Sequence, residues 1–180
     1  MAARLQLALL LALAAQPARA EELPLQPARE LSFETSTGTW MSLDVSPDGR
    51  SIVTDILGDL YRIPIGGGEA QRLTSGMGFD SQPVASPDGE RIAFVSDRTG
   101  EESIWVARAD GSDPRRLSLG KDDIWVSPEW SPDGKAIYAS RFLPSRTAYE
   151  LWRFDSDKPG AGTLVVSSKS GGDVQSSLGA

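Results

Sequence analysis

The chain has 180 residues, which is room for about one domain. Its 18 Lys and Arg stand against 25 Asp and Glu, a net charge of −7, and this balance excludes a strongly basic nucleic-acid-binding surface because phosphate recognition needs clustered cations. The chain has no cysteine and no histidine. By itself it therefore cannot form a disulfide framework, a thiolate zinc site, a Ser-His-Asp triad or a catalytic cysteine.

Residues 1–20 have the pattern of a secretory signal peptide. Arg4 precedes an apolar run over residues 5–15, and the small-x-small sequence of residues 18–20 is typical of a cleavage site. An N-terminal core helix is the alternative, which Pro17 disfavours. The apolar run is too short to cross a bilayer core of about 30 Å, so we expect no transmembrane segment after cleavage. The sequence thus predicts an exported protein, periplasmic or secreted.

The tetrapeptide Ser-Pro-Asp-Gly occurs three times, with its prolines 40 (47 to 87) and 45 (87 to 132) residues apart. Proline at the second position and aspartate at the third suit a type I turn, and glycine at the fourth can adopt the left-handed conformation that re-enters a strand. We predict three equivalent structural turns, formed by Ser46, Pro47, Asp48 and Gly49, by Ser86, Pro87, Asp88 and Gly89, and by Ser131, Pro132, Asp133 and Gly134.

The sequences that flank each tetrapeptide also repeat. A short β-rich run precedes it, and three further runs follow, separated by turns. The second run after each tetrapeptide contains an aromatic residue in the same register, namely Tyr61, Trp105 and Trp152. Because large aromatic side chains mostly serve burial, we expect these three to pack in layers between neighbouring units.

Four short strands repeated every 40 to 45 residues indicate β-propeller blades. The predicted fold class is all-β: a partial β-propeller of three four-stranded antiparallel blades plus the start of a fourth. We place a linker at 21–37, the blades within 38–168 at about 38–77, 78–121 and 122–168, and a truncated further blade at 169–180.

Three blades leave two apolar faces without a neighbour, whereas propellers typically close with 4–8 blades. The expected partners are therefore the remaining blades and a C-terminal domain of the same protein, or another protein. Ring closure by self-association is the alternative.

The candidate polar sites are expected to be structural. Gly66-Gly67-Gly68 lacks the following helix that a phosphate loop requires, so we interpret it as a hairpin turn. The repeated aspartates are assigned to turns and not to calcium, because equivalent turns around a ring do not converge on one ion. We expect Arg98 and Arg141 to pair with an aspartate of a neighbouring blade. No catalytic, cofactor-binding or metal-binding residue is predicted in this chain.

The repeats resemble those of TolB-like, WD-repeat-like propellers. The resemblance rests on the Ser-Pro-Asp-Gly turns and on RIAFVSDRTGEESIWVARADGSDPRRLS, and it covers residues 40–168. A narrower similarity, over GTWMSLDVSPDGRSIVTDILGDLYRIPIGGGEAQRLTSGMGFDSQPVASPDG directly behind a signal peptide, is to exported proteins in which such a propeller precedes an amidohydrolase domain.

This resemblance implies a non-catalytic scaffold or interaction module in the N-terminal part of an exported amidohydrolase-like hydrolase. A divalent metal would then belong to a hydrolase domain outside this chain, since the family's His-x-His motif matches no position here. Two alternatives remain. One is a TolB-type periplasmic interaction propeller, although the α/β domain of that family has no room before residue 38. The other is the gating propeller of a prolyl-oligopeptidase-like serine peptidase, although the G-x-S-x-G motif is absent.

Overall fold

The computed structural model describes residues 32, 37–120, 123–145 and 148–167. In these ranges the chain forms three four-stranded antiparallel sheets, each with its strands in sequence order, so the predicted all-β fold of three blades is confirmed. The predicted signal peptide and the predicted start of a fourth blade lie outside the described residues. Among the residues described, there is no helix with the length and hydropathy needed to cross a bilayer.

The blades follow one another along the chain. Blade 1 contains β1 Leu43–Val45, β2 Ser51–Ile56, β3 Asp59–Pro64 and β4 Gln71–Arg72. Blade 2 contains β5 Asp80–Ala85, β6 Arg91–Ser96, β7 Ser103–Arg108 and β8 Arg115–Arg116. Blade 3 contains β9 Ile124–Trp130, β10 Ala136–Leu143, β11 Ala148–Asp155 and β12 Thr163–Ser167.

The hydrophobic core consists of two layers between blades, as expected when alternate side chains of each strand point to opposite sheet faces. The first layer lies between blades 1 and 2 and joins Val53, Leu60 and Leu73 to Ile92, Phe94, Trp105 and Ala107. The second lies between blades 2 and 3, where Trp125, Ile137 and Phe154 pack on Val95, Ile104 and Leu117. Within the part of the chain that the structure describes, blade 2 is therefore covered on both faces, and blades 1 and 3 are each covered on one.

The outermost strands of blades 1 and 2 contain only two residues each. In blade 1 the ladder ends at Arg72, and the hydroxyl of Thr74 then accepts a hydrogen bond from the N–H of Leu60 at 2.9 Å. The hydroxyl of Ser118 accepts one from the N–H of Ile104 at 2.9 Å in the same way. In each of these blades a side-chain hydroxyl thus replaces a backbone carbonyl as the acceptor for a buried N–H of the third strand.

The connections divide between the two ends of the blades. The Ser-Pro-Asp-Gly turns lie at one end, which we call the turn end. The links between β2 and β3, β6 and β7, and β10 and β11 lie at the other, which we call the hairpin end. The innermost strands β5 and β9 contain bulges at Gln82 and Ser127, which both have a φ of 53°. The Gln82 side chain accepts a hydrogen bond from the N–H of Ser127 at 2.6 Å and so joins these two strands near the axis.

Candidate interaction surface

The three Ser-Pro-Asp-Gly turns have the same geometry. In blade 1 the Ser46 hydroxyl donates to Asp48 Oδ1 at 2.7 Å, and the N–H of Arg50 donates to the same oxygen at 3.0 Å. The fourth residue is in the left-handed region in every copy, with φ values of 68°, 72° and 68° for Gly49, Gly89 and Gly134. Since a side chain is disfavoured there, glycine is required for the return into the second strand.

The turn aspartates act as hydrogen-bond acceptors within their own turns. Hydrogen bonds from the serine hydroxyl, and then from a backbone N–H, hold the pKa of Asp48, Asp88 and Asp133 below the ordinary value of an aspartate. Within the described residues no group of three or more acidic side chains is arranged to hold a metal ion. That this chain binds no cofactor stays a prediction.

The three repeated aromatic residues lie at equivalent positions of their blades but are buried to different extents. Trp105 is 1% exposed and lies in the layer between blades 1 and 2. Trp152 packs against the layer between blades 2 and 3, with its ring 6.1 Å from that of Trp125 in an edge-on arrangement. Tyr61 is half-buried on the face of blade 1 that points away from blade 2. Each aromatic thus faces the preceding blade position, and for Tyr61 that position lies beyond the described blades.

The two arginines that follow the second strands form close ion pairs within their own blades, so the expectation of pairing with a neighbouring blade was wrong for Arg141. The charge of Arg98 also acts on Asp59 of blade 1, where it opposes the rise that burial causes in the pKa of that carboxyl. Arg98 donates to Asp80 at 2.6 Å, and their side chains are only 6% and 1% exposed. Arg141 lies 2.8 Å from Asp123. Each guanidinium also lies over the repeated tryptophan of its blade, at 4.9 Å for Arg98 and 5.5 Å for Arg141. Asp80 lies in the innermost strand of blade 2, and Asp123 lies just before the innermost strand of blade 3. Sequence spacing alone does not reveal either pairing.

A cleft of about 400 Å³ lies at the hairpin end between blades 1 and 2. Its rim carries four exposed apolar side chains, which we call the hairpin-end patch: Trp40, Met41, Leu57 and Phe79, exposed by 100%, 41%, 76% and 60%. Contiguous exposed apolar side chains around a cleft are typical of protein interaction sites.

The floor of this cleft is held by hydrogen bonds to one buried carboxylate. Asp55 is buried, and its two carboxylate oxygens accept hydrogen bonds from the N–H of Ser42 and the N–H of Gln82, each at 2.9 Å. The bond from Gln82 ties blade 1 to the bulge of blade 2 beneath the patch, and the bond from Ser42 fixes the segment just before β1. A patch on a fixed support is suited to binding without rearrangement.

Leucine is an unfavourable residue at position 57 for two reasons. It has a φ of 55° and is followed by Gly58 with a φ of 88°, the pattern of a type I′ hairpin turn in which Asn-Gly is preferred. Its side chain also points into solvent. A residue that breaks a local preference without local compensation marks a candidate functional position. Leu57 was not predicted as a functional residue, although an Ile-Leu-Gly-Asp turn without Asn is a detectable signal.

Stacked four-stranded antiparallel blades, joined through apolar layers and Ser-Pro-Asp-Gly turns, define a β-propeller segment. The family model of the tricorn protease N-terminal beta propeller domain matches residues 41–177. The chain therefore belongs to this family.

Similar sequences and a similar solved structure support a TolB-like propeller. An uncharacterised protein of Agrobacterium fabrum is 40% identical over 100 residues, covering 53% of this chain and 34% of that protein. The Tol-Pal system protein TolB of Bordetella pertussis is 40% identical over 58 residues, covering 32% of this chain and 13% of that protein. A TolB-type structure from Agrobacterium tumefaciens superposes with a TM-score of 0.61 at 28% identity, covering 72% of this chain and 50% of that chain.

The resemblance to TolB-like propellers inferred from the sequence is thus confirmed. The chain spans about a third or less of the curated relatives and half of the solved structure.

Proposed function

We propose that this chain is a non-catalytic β-propeller segment of an exported protein and serves as a protein-interaction scaffold. The observation that carries the proposal is the hairpin-end patch, four exposed apolar side chains around a cleft whose floor is hydrogen-bonded through Asp55. Loops at one end of a propeller axis are the usual place for binding surfaces in this architecture. The partner is a protein segment with apolar side chains, since the patch offers burial and no clustered charge.

The proposal includes export. The pattern of residues 1–20 and the similarity to Tol-Pal proteins both support a location outside the cytoplasm. Expression of the whole chain in a Gram-negative host tests this point. We expect the chain in the periplasmic fraction with Glu21 as its first residue. A cytoplasmic chain that retains Met1 would contradict export.

Three whole-protein contexts fit the propeller equally: an exported amidohydrolase, which the sequence resemblance implied, a TolB-type interaction protein, and a peptidase with a gating propeller. The reading frame beyond Ala180 distinguishes them. A His-x-His motif in a barrel pattern supports the first, further blades alone support the second, and a G-x-S-x-G motif supports the third.

The scaffold role is tested by binding. The purified chain is used to capture proteins from a periplasmic extract, in parallel with Leu57→Asn, which removes the apolar side chain and suits the turn, and with Leu119→Asn as a control. Leu119 is 53% exposed and lies outside the patch. We expect a captured protein that is lost with Leu57→Asn and kept with Leu119→Asn. Equal capture by all three would contradict the assignment of the patch, and amide hydrolysis by the purified chain would contradict the non-catalytic role.

A further inference from the structure

The hairpin of blade 2 carries negative charge at the edge of the hairpin-end patch. Ser96 and Ser103 are the last paired residues of β6 and β7. Asp97 directly follows β6 and Glu102 directly precedes β7, so the two carboxylates lie close together at the base of the hairpin. The N–H of Phe79, a residue of the patch, donates to Asp97 Oδ1 at 2.6 Å. The patch itself is uncharged, and this carboxylate adjoins it.

The arginines at the hairpin end of blades 1 and 2 already pair with other carboxylates. The pairs are Arg72 with Asp59 at 2.6 Å, Arg98 with Asp80 at 2.6 Å, and Arg116 with Glu101 at 3.4 Å. Among the described residues, no cationic side chain contacts Asp97 or Glu102. The hairpin thus presents two negative charges for which these blades supply no counter-charge.

The two carboxylates also disfavour each other. Partial burial, and then the charge of Asp97, raise the pKa of Glu102 above the ordinary value of a glutamate. A cation placed between them would relieve this repulsion. Because an isolated surface ion pair contributes little, the cation has to belong to a ligand that is also held by apolar contacts.

The patch and the two carboxylates form one continuous surface across blades 1 and 2. Leu57 lies in the hairpin of blade 1, and the Phe79 ring packs on the neighbouring Gly58. Phe79 in turn contacts Asp97 through its backbone N–H. The order across the surface is therefore Leu57, Phe79, Asp97, with the apolar part over blade 1 and the acidic part over blade 2.

We infer that the hairpin-end patch binds an extended protein segment in which apolar side chains stand within a few residues of a Lys or Arg. The apolar side chains enter the cleft between Leu57 and Phe79, and the cation lies between Asp97 and Glu102. The net charge of −7 favours the same partner, since it attracts cationic segments during encounter. This inference rests on the interaction role in the proposed function and specifies the chemistry of the partner.

Selection of a random heptapeptide phage library on the purified chain tests the inference. We expect enriched sequences that combine aromatic or leucine side chains with Lys or Arg. On a chain with Asp97→Asn and Glu102→Gln, the apolar preference should remain and the basic preference should disappear. Both substitutions preserve side-chain shape, and Asp97→Asn keeps an oxygen that can accept the hydrogen bond from the N–H of Phe79, so the variant should fold.

The affinity of one selected peptide measures the contribution of the charges. In fluorescence anisotropy we expect Glu102→Gln to raise the dissociation constant of this peptide by about two- to fivefold at low salt, and by less at high salt, where the attraction is screened. Glu90→Gln removes the same charge from an exposed site on the turn end and should leave the dissociation constant unchanged. Equal effects of the two variants would overturn the inference.

The remaining outcomes separate this inference from the proposed function. Enriched apolar sequences without Lys or Arg would overturn the inference and leave the proposed function intact. No enrichment, or sequences that bind equally to Leu57→Asn, would contradict both. Self-association of the chain that Leu57→Asn abolishes would identify a second copy as the occupant of the patch and would also overturn the inference.

Discussion

Arg98 and Asp80 form an ion pair at 2.6 Å inside the protein, with side-chain exposures of only 6% and 1%. The pair lies next to the layer between blades 1 and 2, where the Arg98 guanidinium also stacks 4.9 Å above the ring of Trp105. Burial removes both charges from water, and their mutual attraction offsets this cost. An unpaired buried charge would be strongly unfavourable. The pair therefore fixes the hairpin end of blade 2 to its innermost strand.

Asp80→Ala is expected to lower the free energy of unfolding by about 3–5 kcal/mol, because it removes the buried carboxylate that the Arg98 guanidinium contacts directly. Asp157→Ala is the control. Asp157 pairs with Arg91 at 2.9 Å but its side chain is 70% exposed, so its loss should cost less than about 1 kcal/mol. Urea denaturation of both variants measures the difference. Equal costs would show that the buried pair does not have the stated role.

Asp48, Asp88 and Asp133 make stability depend on acid pH. Their folded pKa values lie below the unfolded value, so their contribution is present above about pH 4 and is lost as the pH falls through the lowered folded values. A triple Asp→Asn variant at these positions should show a shallower loss of stability between pH 5 and the acid limit. Thermal unfolding at stepped pH values measures this slope. An unchanged slope in the triple variant would refute the explanation.

Leu57→Asn should raise the free energy of unfolding by about 0.5–1 kcal/mol, since asparagine tolerates a φ of 55° better than leucine and suits a type I′ turn. Leu57→Val should lower it, because a β-branched side chain is strained at positive φ. Chemical denaturation of the two variants checks both directions. A destabilised Leu57→Asn variant would mean that the leucine side chain supports the fold, which would weaken the case for a binding role.

Trp105→Ala is expected to cost about 3–5 kcal/mol, as truncation of a fully buried tryptophan leaves a large cavity between blades 1 and 2. Trp40→Ala removes the same side chain from a site that is 100% exposed and should change stability by less than about 0.5 kcal/mol. Differential scanning calorimetry compares the two. A similar loss in both would contradict the inter-blade position of Trp105.

Much of the fold could be predicted because its signals are local. Proline, aspartate and glycine dictate the turn at residues 46–49, and alternating apolar residues dictate the strands on either side of it. The short outer strands were not predicted, since whether Thr74 or a backbone carbonyl satisfies the N–H of Leu60 depends on how the chain bends after β4.

The candidate site depended on contacts that are distant in sequence. Asp80 lies 18 residues before Arg98, and only the packing of the innermost strand against the hairpin end brings them together. The hairpin-end patch was missed for a related reason. In the sequence, Leu57 and Phe79 cannot be distinguished from ordinary apolar residues. They are exposed because of the backbone path of two separate connections.

The most direct test of three stacked blades, of which the described residues cover only the middle one on both faces, is residue-resolved amide hydrogen exchange on the purified chain. Blade 2 is covered on both sides, so the amides of β6 and β7 should exchange most slowly, and those of β2, β3, β10 and β11 should exchange faster. Slowest exchange in blade 1 or blade 3 would contradict the account.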